Sequence, residues 1–153
     1  MSTIRENILA NIKTTLEGIT EANGYNNDIA SVQRWMQRGN ILKSVPCIVI
    51  SAGQENKNPE PNPLMTCRLT VYLELYLRQN ETDQTPTDSL INSLLGDIEK
   101  ALMLDYTRGG NALDTNIRAI IPFETQEGQV NAGAVIEIEV LYQHQQNDPE
   151  TAG

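Results

Sequence analysis

The chain is poor in the residues that most enzyme chemistry uses. In 153 residues it has one histidine, one tryptophan, one phenylalanine and two cysteines. The single histidine, His144, lies in the polar run 143–147 and reads as a tail residue rather than a metal ligand or catalytic base. No nucleophile elbow accompanies the serines, so nothing ties His144 to a nucleophile. Cys47 and Cys67 both sit in apolar strand patterns. They read as core thiols rather than a disulfide, and two cysteines alone cannot complete a zinc site. No apolar run approaches the roughly 20 residues that cross a membrane. The first residues run straight into a helical pattern without the basic start and apolar centre of a signal peptide, which leads us to expect folding in the cytoplasm. Basic residues are also scarce, 11 against 20 acidic ones, for a formal charge of -9. Duplex binding rests on phosphate neutralisation by Lys and Arg, so this balance argues against it. Arg34, Arg38 and Lys43 around Trp35 are the one loose basic stretch, and an amphipathic strand and turn with an anchoring tryptophan accounts for it. The pair Gly109-Gly110 follows a helical pattern and lacks the phosphate-loop spacing, so it reads as a turn. No cofactor is expected.

What is present is amphipathic pattern. Ile4, Ile8, Ile12, Leu16 and Ile19 recur every three or four residues, with Leu9 beside them, which predicts a helix over 3–22. Thr3 with Glu6 three residues later has capping-box spacing, and Asn23-Gly24 is the expected stop. A second apolar stripe, from Leu90 to Leu102, predicts a helix over 86–105, with Thr85 as cap, Pro86 at its first position and Asp88 in its first turn. Strands are expected over 29–36 (partly exposed, turned by Gly39-Asn40), 45–50 (apolar and central), 65–78, 116–123 and 132–143. The segment 51–64 carries Pro59, Pro61 and Pro63 among polar residues and reads as a projecting loop between strands. Residues 80–84 and 124–131 read as polar connections. The expected fold is α/β in the α+β sense: a single mixed, mostly antiparallel sheet with two helices on one face, in the order α-β-β-β-α-β-β. One domain covers 1–144, and 145–153 reads as a polar C-terminal tail.

The strand over 65–78 separates its residues by face. Cys67, Leu69, Val71, Leu73, Leu75 and Leu77 share the core side, whereas Arg68, Tyr72, Glu74, Tyr76 and Arg78 share the other. Tyrosine and arginine are favoured interface anchors, so the second face is the candidate contact surface. Glu137 and Glu139 share one face of the last long strand. Same-face carboxylates can bind a metal or share a proton, but basic partners such as Arg68 and Arg78 across a strand or subunit boundary account for them more simply. The candidate sites are therefore interfacial: Arg68, Tyr72, Glu74, Tyr76, Arg78, Glu137 and Glu139, with no catalytic or metal-binding residue among them. An acidic-site enzyme is the weakest alternative.

The opening Ile4-Arg5-Glu6-Asn7-Ile8-Leu9-Ala10-Asn11-Ile12, followed by Pro46-Cys47-Ile48-Val49-Ile50, resembles that of tailed-phage tail terminator proteins. Arg68-Leu69-Thr70-Val71-Tyr72-Leu73-Glu74-Leu75-Tyr76 continues the likeness, as do the helix over 90–102 and the closing strand over 135–142. The resemblance is one of ordered pattern over most of the chain rather than of a single motif. It implies a non-enzymatic virion protein that forms a ring, commonly a hexamer, on the head-proximal end of the tail tube. Such a ring ends tube polymerisation and presents a surface for head-tail joining. The implied partners are further copies of the chain, the tail tube protein and head-neck connector proteins, with no specific nucleic acid and no membrane. The alternatives are another phage neck or connector subunit and a non-viral oligomeric module.

Overall fold

The computed structural model describes residues 2–34, 45–78, 87–124 and 131–153. Among the described residues six strands form one sheet: β1 (Ser31–Arg34), β2 (Cys47–Pro59), β3 (Leu64–Arg78), β4 (Asp114–Glu124), β5 (Asn131–Gln145) and β6 (Asp148–Ala152). The spatial order is β1-β2-β3-β5-β4, with β6 beside the end of β5. β1 runs parallel to β2, and every other pairing is antiparallel. Helices α1 (Ile4–Glu17) and α2 (Thr87–Leu104) contribute their apolar stripes to one core with the inward-facing sheet residues. Ile8, Ile12 and Leu16 from α1, Leu94 and Ile98 from α2, and Leu73, Leu75, Ile136 and Ile138 from the sheet are all fully buried. Complete burial of such a side chain stabilises by about 1.5–3 kcal/mol. This is the expected mixed, mostly antiparallel sheet with two helices packed against it.

Local sequence explains the helix ends. The Thr3 hydroxyl accepts from the amide of Glu6 at 3.1 Å, as the capping spacing predicts. The α-helix ends at Glu17, earlier than expected. Residues Glu21–Asn23 form a short 3-10 turn, and Gly24, at φ 93°, closes that turn rather than the helix. Ile19 is fully buried outside any helix, which is why the apolar period runs on past the true end. The expected caps Thr85 and Pro86 lie outside the described residues, as do Trp35, Arg38, the Gly39-Asn40 turn, Lys43 and the connection at 80–84. Most of the connection at 124–131 does too.

Two expectations are overturned. The segment 51–64 is not a loop: β2 continues to Pro59 and pairs with β3 from Cys47↔Tyr76 to Pro59↔Met65, interrupted by one irregularity between Ala52 and Glu55. Only 60–63 turn. The prolines permit this because β1 pairs with β2 no further than Ile50. Pro59 therefore lies where β3 is the only paired neighbour among the described residues, and its missing amide does little harm. The segment 145–153, read as a polar tail, returns to the sheet instead. β6 pairs back on β5 at His144↔Ala152 and Gln145↔Asp148. The Asp148 carboxylate accepts from the amide of Glu150 at 3.0 Å and the Thr151 hydroxyl at 2.6 Å, which stabilises the return. His144 is consequently a buried residue of the sheet rather than a tail residue, with 5% of its surface exposed. Cys47 and Cys67 are buried and not joined in a disulfide, as expected.

Candidate functional site

Alternation along β3 and β5 sends one set of residues into the core and the other to the face away from the helices. On β3 that outer set includes Arg68, Thr70, Tyr72, Glu74, Tyr76 and Arg78, none of them fully buried. The register sets Thr70 opposite Glu139, Tyr72 opposite Glu137, Glu74 opposite Val135 and Tyr76 opposite Gly133. All seven sequence-selected residues therefore lie on two adjacent strands. Arg68 stands towards one end of the face and Arg78 at the other, level with Asn131.

The charge pairing on this face differs in one partner from the expectation. Arg68 donates to Glu139 Oε1 at 3.0 Å, and Arg118 from β4 donates to the same oxygen at 2.9 Å. Arg118, not Arg78, is the second cation. It stands at the irregularity between Ile117 and Ala119, where the strand alternation shifts, so a period-two reading gives it no face. The hydrogen bond from Arg118 holds the Glu139 carboxyl below its ordinary value; partial burial opposes this and Arg68 reinforces it. Glu137 makes no hydrogen bond or ion pair among the described residues, although it is partly sheltered. The tyrosines are held in place. Tyr76 donates to Glu74 Oε2 at 2.6 Å and meets Phe123 edge to face, with centroids 5.6 Å apart. Tyr72 lies over Gly53, where a Cβ would come within 2.6 Å of its ring. Phe123 and the two glycines were not legible as part of this surface, because their roles depend on which strands become neighbours.

A second polar group lies at the other side of the sheet, where the start of α1 meets the β2–β3 hairpin. Glu55, with a side chain only 7% exposed, receives Arg5 through two bonds at 3.2 and 2.8 Å. It also receives Lys57 at 2.9 Å and the Tyr142 hydroxyl at 2.5 Å. Lys57 reaches His144 Nε2 at 2.8 Å, while His144 Nδ1 faces the carbonyl of Gln145 at 2.7 Å. A lysine ammonium can only donate, so Nε2 is the acceptor and Nδ1 carries the proton. Burial pushes Glu55 upward, but bonds from Tyr142, Lys57 and Arg5 together outweigh it and leave the carboxyl below its ordinary value. Both carboxylate oxygens are engaged by donors, so Glu55 fastens helix to hairpin and has no free lone pair aimed at a substrate. A cleft of about 200 Å³ beside it is lined by Thr3, Arg5, Lys57, Tyr142 and Pro149. Among the described residues no group of three or more His, Cys, Asp or Glu side chains converges as a metal site. Among the same residues, no helix is long and apolar enough to cross a membrane.

The subunit is a sheet with helices α1 and α2 on one side and a face of ion pairs and tyrosines on the other. The chain matches the model of the bacteriophage tail tube terminator protein family over residues 1–149, and it belongs to that family. It is thus a non-enzymatic structural protein of the viral tail that caps the tail tube and interacts with the tail and head-tail apparatus. No individually curated protein matches the chain.

Proposed function

We propose that the subunit caps the tube as one member of a closed ring, six-fold as the family resemblance implies, at the head-proximal end. There it ends tube polymerisation and offers a surface to the head-neck connector proteins. The observation that carries this reading is the asymmetry of the sheet. One face is filled by α1 and α2, while the other presents Arg68, Tyr72, Glu74, Tyr76, Arg78, Glu137 and Glu139 without a second layer among the described residues. A ring supplies the missing neighbour without leaving an open-ended array. The acidic balance suits a conduit through which nucleic acid passes without adhering.

The test is removal of the protein from an assembling phage. Tubes of irregular, extended length that join heads poorly support the reading. Tubes of normal length that fail only to join heads indicate a connector role instead.

A further inference from the structure

The outer sheet face carries a charge pattern that its own subunit does not use up. Two guanidinium groups, from Arg68 and Arg118, converge on one oxygen of one carboxylate, Glu139. That cluster has one positive charge in excess. Arg68 is 53% and Arg118 49% exposed, so both retain donors facing outward. Two residues along the same strand face, about 6.6 Å away, stands Glu137, which has no partner among the described residues. On β3, Glu74 engages one oxygen with Tyr76 and leaves its other without a bonded donor.

These charges are related by a single axis. Val71 and Ile138 are core-side cross-strand partners whose row crosses the sheet midway beneath this face. A two-fold axis through that row, in the plane between two copies and perpendicular to the strands, lays β3 over β3 and β5 over β5 in opposite directions. It carries the level of Glu137 onto the level of Glu139, whose carboxylate holds the Arg68 and Arg118 guanidinium groups. The same operation carries Glu74 onto Arg68, because each is three residues from Val71. The two guanidinium groups held at Glu139 then each meet an acid of the other copy with spare acceptors, and each match occurs twice. Such reciprocity is what an isologous contact requires.

We propose that free subunits pair face to face through this surface, with Glu137 and Glu74 of each copy set against Arg118 and Arg68 of the other. Three strands over about eleven residues give a patch of roughly 14 by 33 Å, smaller than the ~800 Å² per partner of a standard stable interface. The pair is therefore weak and salt-sensitive, a form that dissociates on assembly. Given the ring reading above, it also masks the ring contact until a tube end is present. The pairing itself does not depend on that reading.

Sedimentation equilibrium of the full chain at about 100 µM, compared in roughly 20 mM and 300 mM salt, tests the proposal. The expected result is a species of twice the 17.0 kDa subunit mass that dissociates as salt rises. Arg118→Glu and Glu137→Arg should each weaken pairing by about tenfold or more, and their combination in one chain should restore most of it. Glu74→Lys gives an independent check through the Arg68 match, and circular dichroism reports whether each variant is folded. A wild type monomeric at low salt overturns the proposal, as do reversals without effect or a double variant no better than the singles. Tail capping by pairing-deficient variants is scored separately. Its persistence leaves the ring reading standing, and its loss despite restored pairing points to the ring contact.

Discussion

Gly133 bears the tightest steric constraint among the named face residues. A Cβ there would lie 1.7 Å from the carbonyl oxygen of Leu75 and 2.9 Å from the Phe123 ring. Gly133→Ala forces β3 and β5 apart where both are fully paired, and should destabilise by about 2–4 kcal/mol in urea unfolding. Glu55 tests electrostatics instead. Replacing it by glutamine removes the charge facing Arg5 and Lys57 but keeps the shape, and should cost about 2 kcal/mol at neutral pH. The pH dependence follows from the direction of its shift. The folded carboxyl lies below the ordinary value of 4.5, so its stabilising contribution is present above about that pH and is lost as pH falls through the lower folded value. Glu55→Gln should therefore show a shallower loss of stability than wild type below about pH 4.5. An equal slope in both proteins would show that Glu55 is not the group responsible.

At the level of elements, the β2–β3 hairpin and β6 behave as parts of the sheet. Gln146 binds them together, its amide donating to Pro63 O at 2.6 Å and its side chain to Glu60 O and Leu64 O at 2.9 and 2.8 Å. Deleting 146–153 should uncover His144 and speed amide exchange over 55–65, with α1 and α2 remaining helical by circular dichroism. Unchanged exchange in that segment would show that the hairpin stands without β6. The helices and the faces of β3 and β5 were legible because single periods of 3.6 and two run through them without interruption. The extension of β2 was not, since a strand paired on one side tolerates prolines and polar residues that a central strand excludes. β6 was hidden by the same cause: its five residues, DPETA, carry no apolar alternation and pair only because the turn at 146–147 returns them to β5. The candidate face was half legible. Arg68, Tyr72, Glu74, Tyr76, Glu137 and Glu139 follow from alternation, whereas Arg118 depends on a register shift that no local pattern announces.

The whole molecule is a one-sided sandwich that caps a tail tube. A role fulfilled by shape and contact follows from its membership of the tail tube terminator family. Tyr72→Ala combined with Tyr76→Ala should reduce ring formation, read by negative-stain imaging of purified subunits with tubes, while leaving helicity intact. Truncated tyrosine anchors at interfaces commonly cost about 2 kcal/mol or more. Undiminished rings would move the contact to another surface. The central claim is termination of tube growth, and the most direct measurement is the length distribution of tails, by electron microscopy, from an assembling phage lacking this protein. The account predicts tubes extended beyond their normal length and poorly attached to heads, with normal length restored when the protein is supplied. A narrow, wild-type distribution of fully attached tails in its absence would contradict it.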